Sequence, residues 1–285
     1  MSTRSIVLVG GPDTGKTNYV GRLWHALKTG ESALRAAEIP ADISFAEEAV
    51  AHLLEGRFAP RSELTESSRR DFTVSVETAD GRAATRLIIP DISGELWRNA
   101  VLSSEIKAEW MEQLRRADGA LLFVRVLSEL NEQPLDWVTA RELLSHFGEE
   151  TAQTALPTQV MLCELVRFLE ITLVDRPDGS RPRLAVIVTA WDLVDPDMTA
   201  RGPEAYLSSE YPLFAGRLRD LARLDAQVYG LSVVGGDIGA DADFRNEFLE
   251  KPFAENGWVA EKDERTGSWH QVSDVTVPVA WVIGT

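Results

Sequence analysis

Short apolar runs alternate with longer amphipathic stretches along the chain. Runs rich in β-branched and apolar side chains predict strands at residues 6–9, 72–78, 84–90, 119–126, 184–188 and 226–234. Apolar residues at helical spacing predict helices at residues 18–27, 44–54, 104–116, 159–174, 203–209 and 211–224. Because helices separate most of these strands, the order predicts an α/β fold in three layers, with a mostly parallel sheet between helices.

The strands at 72–78 and 84–90 are the exception, because only a short segment with Asp80-Gly81 separates them. This dipeptide is typical of a hairpin turn, so one strand of the sheet is expected to be antiparallel. The 285 residues suit a single domain. The polar segments 28–70 and 128–157 are interpreted as insertions, and residues 235–285 as irregular until a short apolar run at 275–277.

The charge of the chain limits its partners. The formal net charge is −16, so an extended anionic partner such as a nucleic acid or an acidic membrane is not expected. No apolar run reaches the roughly 18 residues of a membrane span. Cys163 is the single cysteine, which excludes an intramolecular disulfide, and the first strand begins without a preceding signal sequence. These features predict a cytoplasmic protein.

The first strand leads into Gly10-Gly11-Pro12-Asp13-Thr14-Gly15-Lys16-Thr17, which matches the phosphate-loop (P-loop) pattern G-x-x-x-x-G-K-[ST]. A strand precedes the loop and a helix follows it, as the mechanism requires. Backbone N–H groups of the loop and of the helix start would surround phosphates. Lys16 would contact the β- and γ-phosphates, and the Thr17 hydroxyl would bind Mg²⁺. The candidate phosphate-binding residues are Gly10, Asp13, Thr14, Gly15, Lys16, Thr17 and Asn18.

A second motif, Asp91-Ile92-Ser93-Gly94, follows the predicted strand 84–90. In P-loop enzymes an acidic residue at a strand end contributes to the Mg²⁺ site, which is the role predicted for Asp91. The Gly94 N–H is a candidate donor to the γ-phosphate. Many P-loop ATPases place a further strand between the strand of the phosphate loop and the strand of the acidic residue. Here a hairpin leads into Asp91 instead, which favours a GTPase.

A third motif, Thr189-Ala190-Trp191-Asp192, ends the strand at 184–188. Here the chain resembles the Ras-like (TRAFAC) class of P-loop GTPases, whose base-reading motif is [NT]-K-x-D. The resemblance implies that Asp192 accepts hydrogen bonds from guanine. Ala190 replaces the lysine that usually stacks on the base, and Trp191 is the predicted replacement. Ser232, after a later strand, is the candidate for a further contact with guanine.

Hydrolysis requires additional groups. Thr65 is the candidate switch threonine, expected to contact Mg²⁺ and the γ-phosphate. Glu95 takes the position at which many GTPases have a water-orienting glutamine. Arg61 and Arg98 are candidates to neutralise transition-state charge, although surface ion pairs are the more ordinary use of such arginines. Asp13 stands where potassium-activated GTPases have an asparagine ligand, which leads to the hypothesis of K⁺ stimulation.

Within the GTPase class, the chain resembles the bacterial double-GTPase domain family, on the basis of its long switch segment, its Thr-x-Trp-Asp motif and Pro278-Val279-Ala280-Trp281. The resemblance implies a regulatory GTPase of bacterial conflict or defence systems. Such a protein would bind GTP with Mg²⁺, hydrolyse it to GDP, and bind an effector protein or a second copy of itself according to the nucleotide. A nucleotide-gated binding module with little catalysis and an ATP-hydrolysing enzyme are the alternatives.

Overall fold

The structure is a computed structural model that describes residues 2–30, 32–40, 42–60, 71–78, 84–90, 94–132 and 156–284. Its strands are β1 (Ser2–Val9), β2 (Leu34–Ala36), β3 (Asp71–Thr78), β4 (Ala84–Pro90), β5 (Gly119–Arg125), β6 (Arg183–Thr189), β7 (Asp225–Ser232), β8 (Trp258–Lys262) and β9 (Trp269–Val272). Its α-helices are α1 (Lys16–Thr29), α2 (Ser44–Leu54), α3 (Gly94–Ser103), α4 (Ala108–Arg116), α5 (Thr158–Thr172), α6 (Pro196–Arg201), α7 (Pro203–Glu210), α8 (Pro212–Arg219), α9 (Ala242–Glu250) and α10 (Val277–Ile283). Short 3-10 helices span Trp191–Leu193 and Phe253–Glu255.

The strands form one sheet in the order β2-β3-β4-β1-β5-β6-β7-β8-β9. In the centre of the sheet, the neighbouring strands β4, β1, β5, β6 and β7 pair in parallel. In contrast, β3 is antiparallel to β4, and β8 is antiparallel to β7. The outer strands β2 and β9 reverse direction again and so run with the centre of the sheet. The prediction of a mostly parallel sheet is confirmed, but β8 is a second reversed strand that the sequence analysis missed.

Two hydrophobic clusters lie on opposite faces of the sheet, as in a three-layer α/β fold. Successive residues of a strand point to opposite faces. Ile6 and Leu8 of β1 therefore pack in a cluster with residues of α1 and α10, whereas Val7 and Val9 pack in the other cluster with residues of α3, α5 and α8. Both clusters are almost fully buried, so the sheet is covered on both sides.

The main differences from the predicted elements lie in the helices. The predicted helix at 104–116 begins too early, because Ser104 has a φ of 57° and separates α3 from α4. The predicted helix at 211–224 ends at Arg219. Residues 235–284 are also more regular than predicted, since they contain α9, β8, β9 and α10. The predicted insertion at 28–70 contributes β2 and α2, and residues 133–155 of the other insertion lie outside the described residues.

The described helices are also too short or too polar to serve as membrane spans.

Candidate functional site

The phosphate loop connects β1 to α1 at the edge of the sheet where the parallel strands end. Three of its residues have positive φ: Gly10 at 150°, Asp13 at 59° and Gly15 at 85°. A Cβ at Gly10 would lie 2.9 Å from the Phe123 carbonyl oxygen, so the loop also requires glycine there for close packing on β5. The tight turn brings the loop to the start of α1, where unpaired helical N–H groups favour anions.

Lys16 folds back over the loop. Its ammonium donates to the carbonyl oxygens of Gly10 at 2.9 Å and of Gly11 at 2.8 Å, and it lies 3.3 Å from the hydroxyl of Thr14. That hydroxyl donates to the Gly11 carbonyl at 3.0 Å. The predicted phosphate-binding lysine is therefore held in the mouth of its own loop. Thr17 occupies the next position, in the first turn of α1.

Gly94 begins α3 and lies directly against the phosphate loop. A Cβ on Gly94 would overlap the nitrogen of Pro12 and the carbonyl group of Gly11. Only a residue without a side chain allows this approach. Gly94 therefore places the Asp91–Gly94 motif in direct contact with the phosphate loop. The two predicted metal ligands Asp91 and Thr65 lie outside the described residues, as does Arg61.

Glu95 and Arg98 follow Gly94 in α3, and both side chains are exposed. Arg98 lines an open cavity between the loop and the start of α5. Gly11, Pro12 and Thr14 of the loop line the same cavity. Glu95 and Arg98, two of the candidates for roles in hydrolysis, thus lie next to the phosphate loop, in the first turns of a helix that packs on it.

Thr189 joins the base motif to the phosphate loop. Its side chain is almost fully buried, and its hydroxyl donates to the Thr14 carbonyl at 3.0 Å. The next residue, Ala190, has a φ of 56°, a conformation that residues with a side chain seldom adopt. Such backbone conformations occur most often where the surrounding structure requires them, particularly at functional sites. The end of β6 is therefore fixed to the loop in a defined conformation.

Asp192 lies in a pocket beside this junction, which Gly15, Thr189 and Ala190 also line. Burial raises the pKa of Asp192, and the nearby negative charge of Asp237 acts in the same direction. A hydrogen bond from Ser232 and the positive charge of Arg125 act in the opposite direction. A partly desolvated carboxylate is a strong acceptor for paired N–H donors, because few water molecules compete with them.

Ser232 is fully buried at the end of β7. Its hydroxyl oxygen accepts from the Gly235 N–H at 2.8 Å, so it fixes the turn after β7 in addition to contacting Asp192. The structure thus brings Ser232 to the predicted base motif through its side chain. The contact of Ser232 with guanine that the sequence analysis expects stays a prediction.

The structure contradicts the role predicted for Trp191. Its side chain has no exposed surface, belongs to the hydrophobic cluster of α3, α5 and α8, and packs edge-on against Tyr206 with ring centroids 5.7 Å apart. The indole ring also lies so close to Gly230 that a Cβ there would be 2.7 Å from it. Trp191 is thus a core residue, and it does not line the pocket that Asp192 shares with Gly15, Thr189 and Ala190. It borders a separate pocket, which Asp192 also lines, on the side of Trp258 and Trp269.

Asn18 contacts the segment that precedes residues 61–70. Its side-chain oxygen accepts from the Ala59 N–H at 2.8 Å, and Asn18 also lines the pocket with Asp192. Phe58 is thereby held beside the same pocket, with a ring carbon 4.0 Å from the Cβ position of Gly239. The sequence analysis missed Phe58, Asp237 and Arg125 as residues of this pocket. Of these three residues, only Arg125 could have been noticed in the sequence, because it is a charged residue at the end of the apolar strand β5.

Among the described residues, no group of three or more metal-ligating side chains is present. This does not exclude the predicted Mg²⁺ site, because Mg²⁺ in nucleotide sites usually has one or two protein ligands, with phosphates and water as the others. The Thr17 hydroxyl, at the first turn of α1, suits one of these positions.

A strand, a glycine loop closed by lysine, a helix start and an adjoining pocket with a carboxylate define a P-loop nucleotide-binding protein. Residues 7–282 match the family model for Double-GTPase 1, so the chain belongs to this family. It is therefore a GTPase, which binds and hydrolyses GTP.

Two solved structures illustrate what the chain is similar to. The chain is similar to the Arl6 BBS3 small GTPase from Trypanosoma brucei with bound GppNp, at 11% identity and a TM-score of 0.40. It is also similar to a chain of the signal recognition particle receptor SRb-GTP/SRX complex from Chaetomium thermophilum, at 13% identity and a TM-score of 0.41. Each alignment covers 87% of this chain and 98% of the other. A search of curated proteins found no match.

Proposed function

We propose that this GTPase is a guanine-nucleotide switch in which the phosphate loop binds GTP with Mg²⁺ and Asp192 reads the base. The contact between Thr189 and the Thr14 carbonyl is the observation that carries the proposal. It joins the phosphate loop and the Asp192 pocket into one groove, so that a single nucleotide can occupy both. Guanine offers two adjacent N–H donors to a carboxylate, whereas adenine lacks this pair.

Mg²⁺ would be bound by Thr17, together with Asp91 and Thr65, and would neutralise phosphate charge. Lys16 would supply a further positive charge, and the loop N–H groups would hold the phosphates in place. Glu95, at the exposed first turn of α3, is the proposed acceptor that orients the attacking water. Arg98 would add positive charge from the cavity beside Pro12.

The proposed switch acts on another protein. Gly94 supports this proposal, because α3 packs so closely on the phosphate loop that a change in the loop must move the helix. The family resemblance favours an effector in a bacterial conflict or defence system, and a nucleotide-dependent dimer is the alternative. The net charge of −16 favours a protein partner over nucleic acid, and a cytoplasmic location remains part of the proposal.

The choice of base is tested by replacing Asp192 with asparagine. We expect the affinity for GTP to fall on the order of 100-fold, because two charge-assisted hydrogen bonds are lost. ATP should bind weakly to both proteins. Xanthosine triphosphate, which has an oxygen in place of the exocyclic amine of guanine, should bind the variant better than the original protein. Titration calorimetry with slowly hydrolysed analogues and Mg²⁺ measures all three.

The matched control is Asp237→Asn in the same pocket. The Asp237 carboxylate accepts from the N–H groups of Gly239 and Ala240, both at 2.9 Å, and an asparagine oxygen can do the same. GTP affinity should therefore be preserved. Equal binding of GTP and ATP by the original protein, unchanged by either substitution, would support the ATPase alternative. A loss of GTP binding only in the Asp237 variant would assign base reading to Asp237.

Glu95→Ala is expected to lower single-turnover GTP hydrolysis about 100-fold, because the water loses its orienting acceptor. GTP affinity should stay the same. Glu109→Ala, at the exposed first turn of the next helix, α4, is the matched control. Negligible turnover by the original protein would support the nucleotide-gated binding module instead.

The hypothesis that K⁺ stimulates hydrolysis through Asp13 is tested by running the reaction in potassium and in sodium salts. Equal rates in the two salts would reject it.

A further inference from the structure

The Asp192 pocket is a slot with walls of different composition. Thr189, Ala190 and Asp192, at the end of β6, form its floor. Arg125 lines it from β5, where it is the register neighbour of Thr189. Phe58 lines it together with the turn after β7, next to Gly239. Arg125 thus lines the slot from the β5 side of β6, whereas Phe58 lies near Gly239, in the segment that follows β7 on the other side of β6.

The two faces of a purine base stack on planar side chains, and few residues of the slot have one. Ala190 has only a methyl group, and Trp191 is buried in the core. Among the twelve residues that line the slot, Phe58 is the aromatic one and Arg125 is the cation. A guanidinium is planar and stacks on aromatic rings, which an ammonium does less well.

Arg125 is also available for a ligand. Its side chain is partly buried, and within the described part of the chain its guanidinium makes no hydrogen bond or ion pair. A partly desolvated cation without a partner is costly in a folded protein. Two acidic residues of the slot, Asp192 and Asp237, make its surroundings negative, and the charge of Arg125 favours the ionised form of Asp192.

We infer that Arg125 is the cation that stacks on the nucleotide base, and that Phe58 contacts the opposite side of the base slot. The inference rests on the proposed function, because it assumes that the base occupies the slot with Asp192. It assigns the stacking role to a residue from β5 and not to the base motif itself. It also links the base to the segment that Asn18 fixes ahead of residues 61–70.

Arg125 lines the cavity beside Gly11, Pro12 and Thr14 as well, so a contact with phosphate is the competing assignment. Two ligands distinguish base stacking from phosphate binding by Arg125: GDP, which has a base, and inorganic pyrophosphate, which has none. Arg125→Ala should weaken GDP binding about 3- to 30-fold, the range expected for a partly desolvated cation–π contact. Pyrophosphate affinity should remain unchanged. An equal loss for both probes would overturn the inference in favour of phosphate binding.

Two further arginine variants complete the design. Arg125→Lys keeps the charge but not the plane, so it should recover only part of the GDP affinity. Arg115→Ala removes an exposed arginine of α4 that lines neither the cavity nor the slot, and it should leave GDP binding unchanged. Thermal unfolding of each variant shows whether the fold is retained. Should Arg125→Ala not fold, Phe58→Ala provides the same comparison from the opposite wall, at a side chain that is 40% exposed.

The Asp192 variant distinguishes a failure of the inference from a failure of the proposed function. GDP binding that depends on Asp192 but is unaffected by Arg125→Ala would reject the stacking role and leave the guanine switch intact. GDP binding that depends on neither residue would reject both proposals, since the base would then lie elsewhere.

Discussion

Replacing Lys16 with alanine is expected to lower the affinity for GTP on the order of 100-fold or more. The ammonium of Lys16 lies in the mouth of the phosphate loop, held by the carbonyl groups of Gly10 and Gly11 at 2.9 and 2.8 Å. A charge-assisted hydrogen bond to phosphate contributes about 1.5–3 kcal/mol, and the substitution also removes the bonds that shape the loop. Titration calorimetry with a slowly hydrolysed GTP analogue measures the loss.

Lys28→Ala is the matched control for Lys16. Lys28 lies in the same helix, α1, with an exposed side chain 3.6 Å from Glu47. A surface ion pair of this kind contributes little, so neither GTP binding nor stability should change by more than about 1 kcal/mol. Retention of GTP affinity by the Lys16 variant would show that the loop is not the phosphate site.

Replacing Gly94 with alanine should have the second largest effect, because the new Cβ would overlap the backbone of Gly11 and Pro12. Backbone atoms cannot rotate away as a side chain can, so α3 must shift from the loop. We expect about 1–3 kcal/mol of destabilisation from overpacking. We also expect GTP hydrolysis to fall about 100-fold, since a displacement of about 1 Å is enough for such a loss. Single-turnover hydrolysis and thermal unfolding measure the two effects.

Gly216→Ala provides the comparison within a helix. Gly216 lies in α8, and a Cβ there would have no neighbour within 4 Å. Alanine should therefore stabilise the protein by roughly 0.5–1 kcal/mol through its higher helix propensity, with no change in hydrolysis. Hydrolysis by the Gly94 variant at the original rate would mean that the packing of α3 on the loop does not affect the reaction.

The elements that could be predicted share a strong local signal. The strands β5 and β6 each bury six of their seven residues, so each appears in the sequence as an almost continuous apolar run. By contrast, β9 has no buried residue, and α9 buries only Phe248. Neither element shows the periodic pattern on which prediction depends. This explains why residues 235–285 were expected to be irregular, although they complete one edge of the sheet.

The boundary between α3 and α4 shows a different limit. Residues 104–116 contain apolar side chains at helical spacing, which predicts one helix. Ser104 instead takes a left-handed conformation at the end of α3, and α4 begins only at Ala108. Serine gives little warning of this conformation, because glycine and asparagine are the residues that usually adopt it. The sequence analysis also predicted no helix over residues 94–103, where α3 packs on the phosphate loop.

The sequence by itself determined the α/β class, the phosphate loop and the motifs that follow β4 and β6. Each is a contiguous stretch whose spacing carries its chemistry, and parallel strands bring their carboxyl ends to one edge of the sheet. Only the tertiary structure decided what surrounds these motifs: the burial of Trp191, the approach of Gly94 to the loop, and the entry of Phe58 and Arg125 into the Asp192 slot. These contacts join residues far apart in the sequence, and the order of the strands and the path of the loops determine which of them meet.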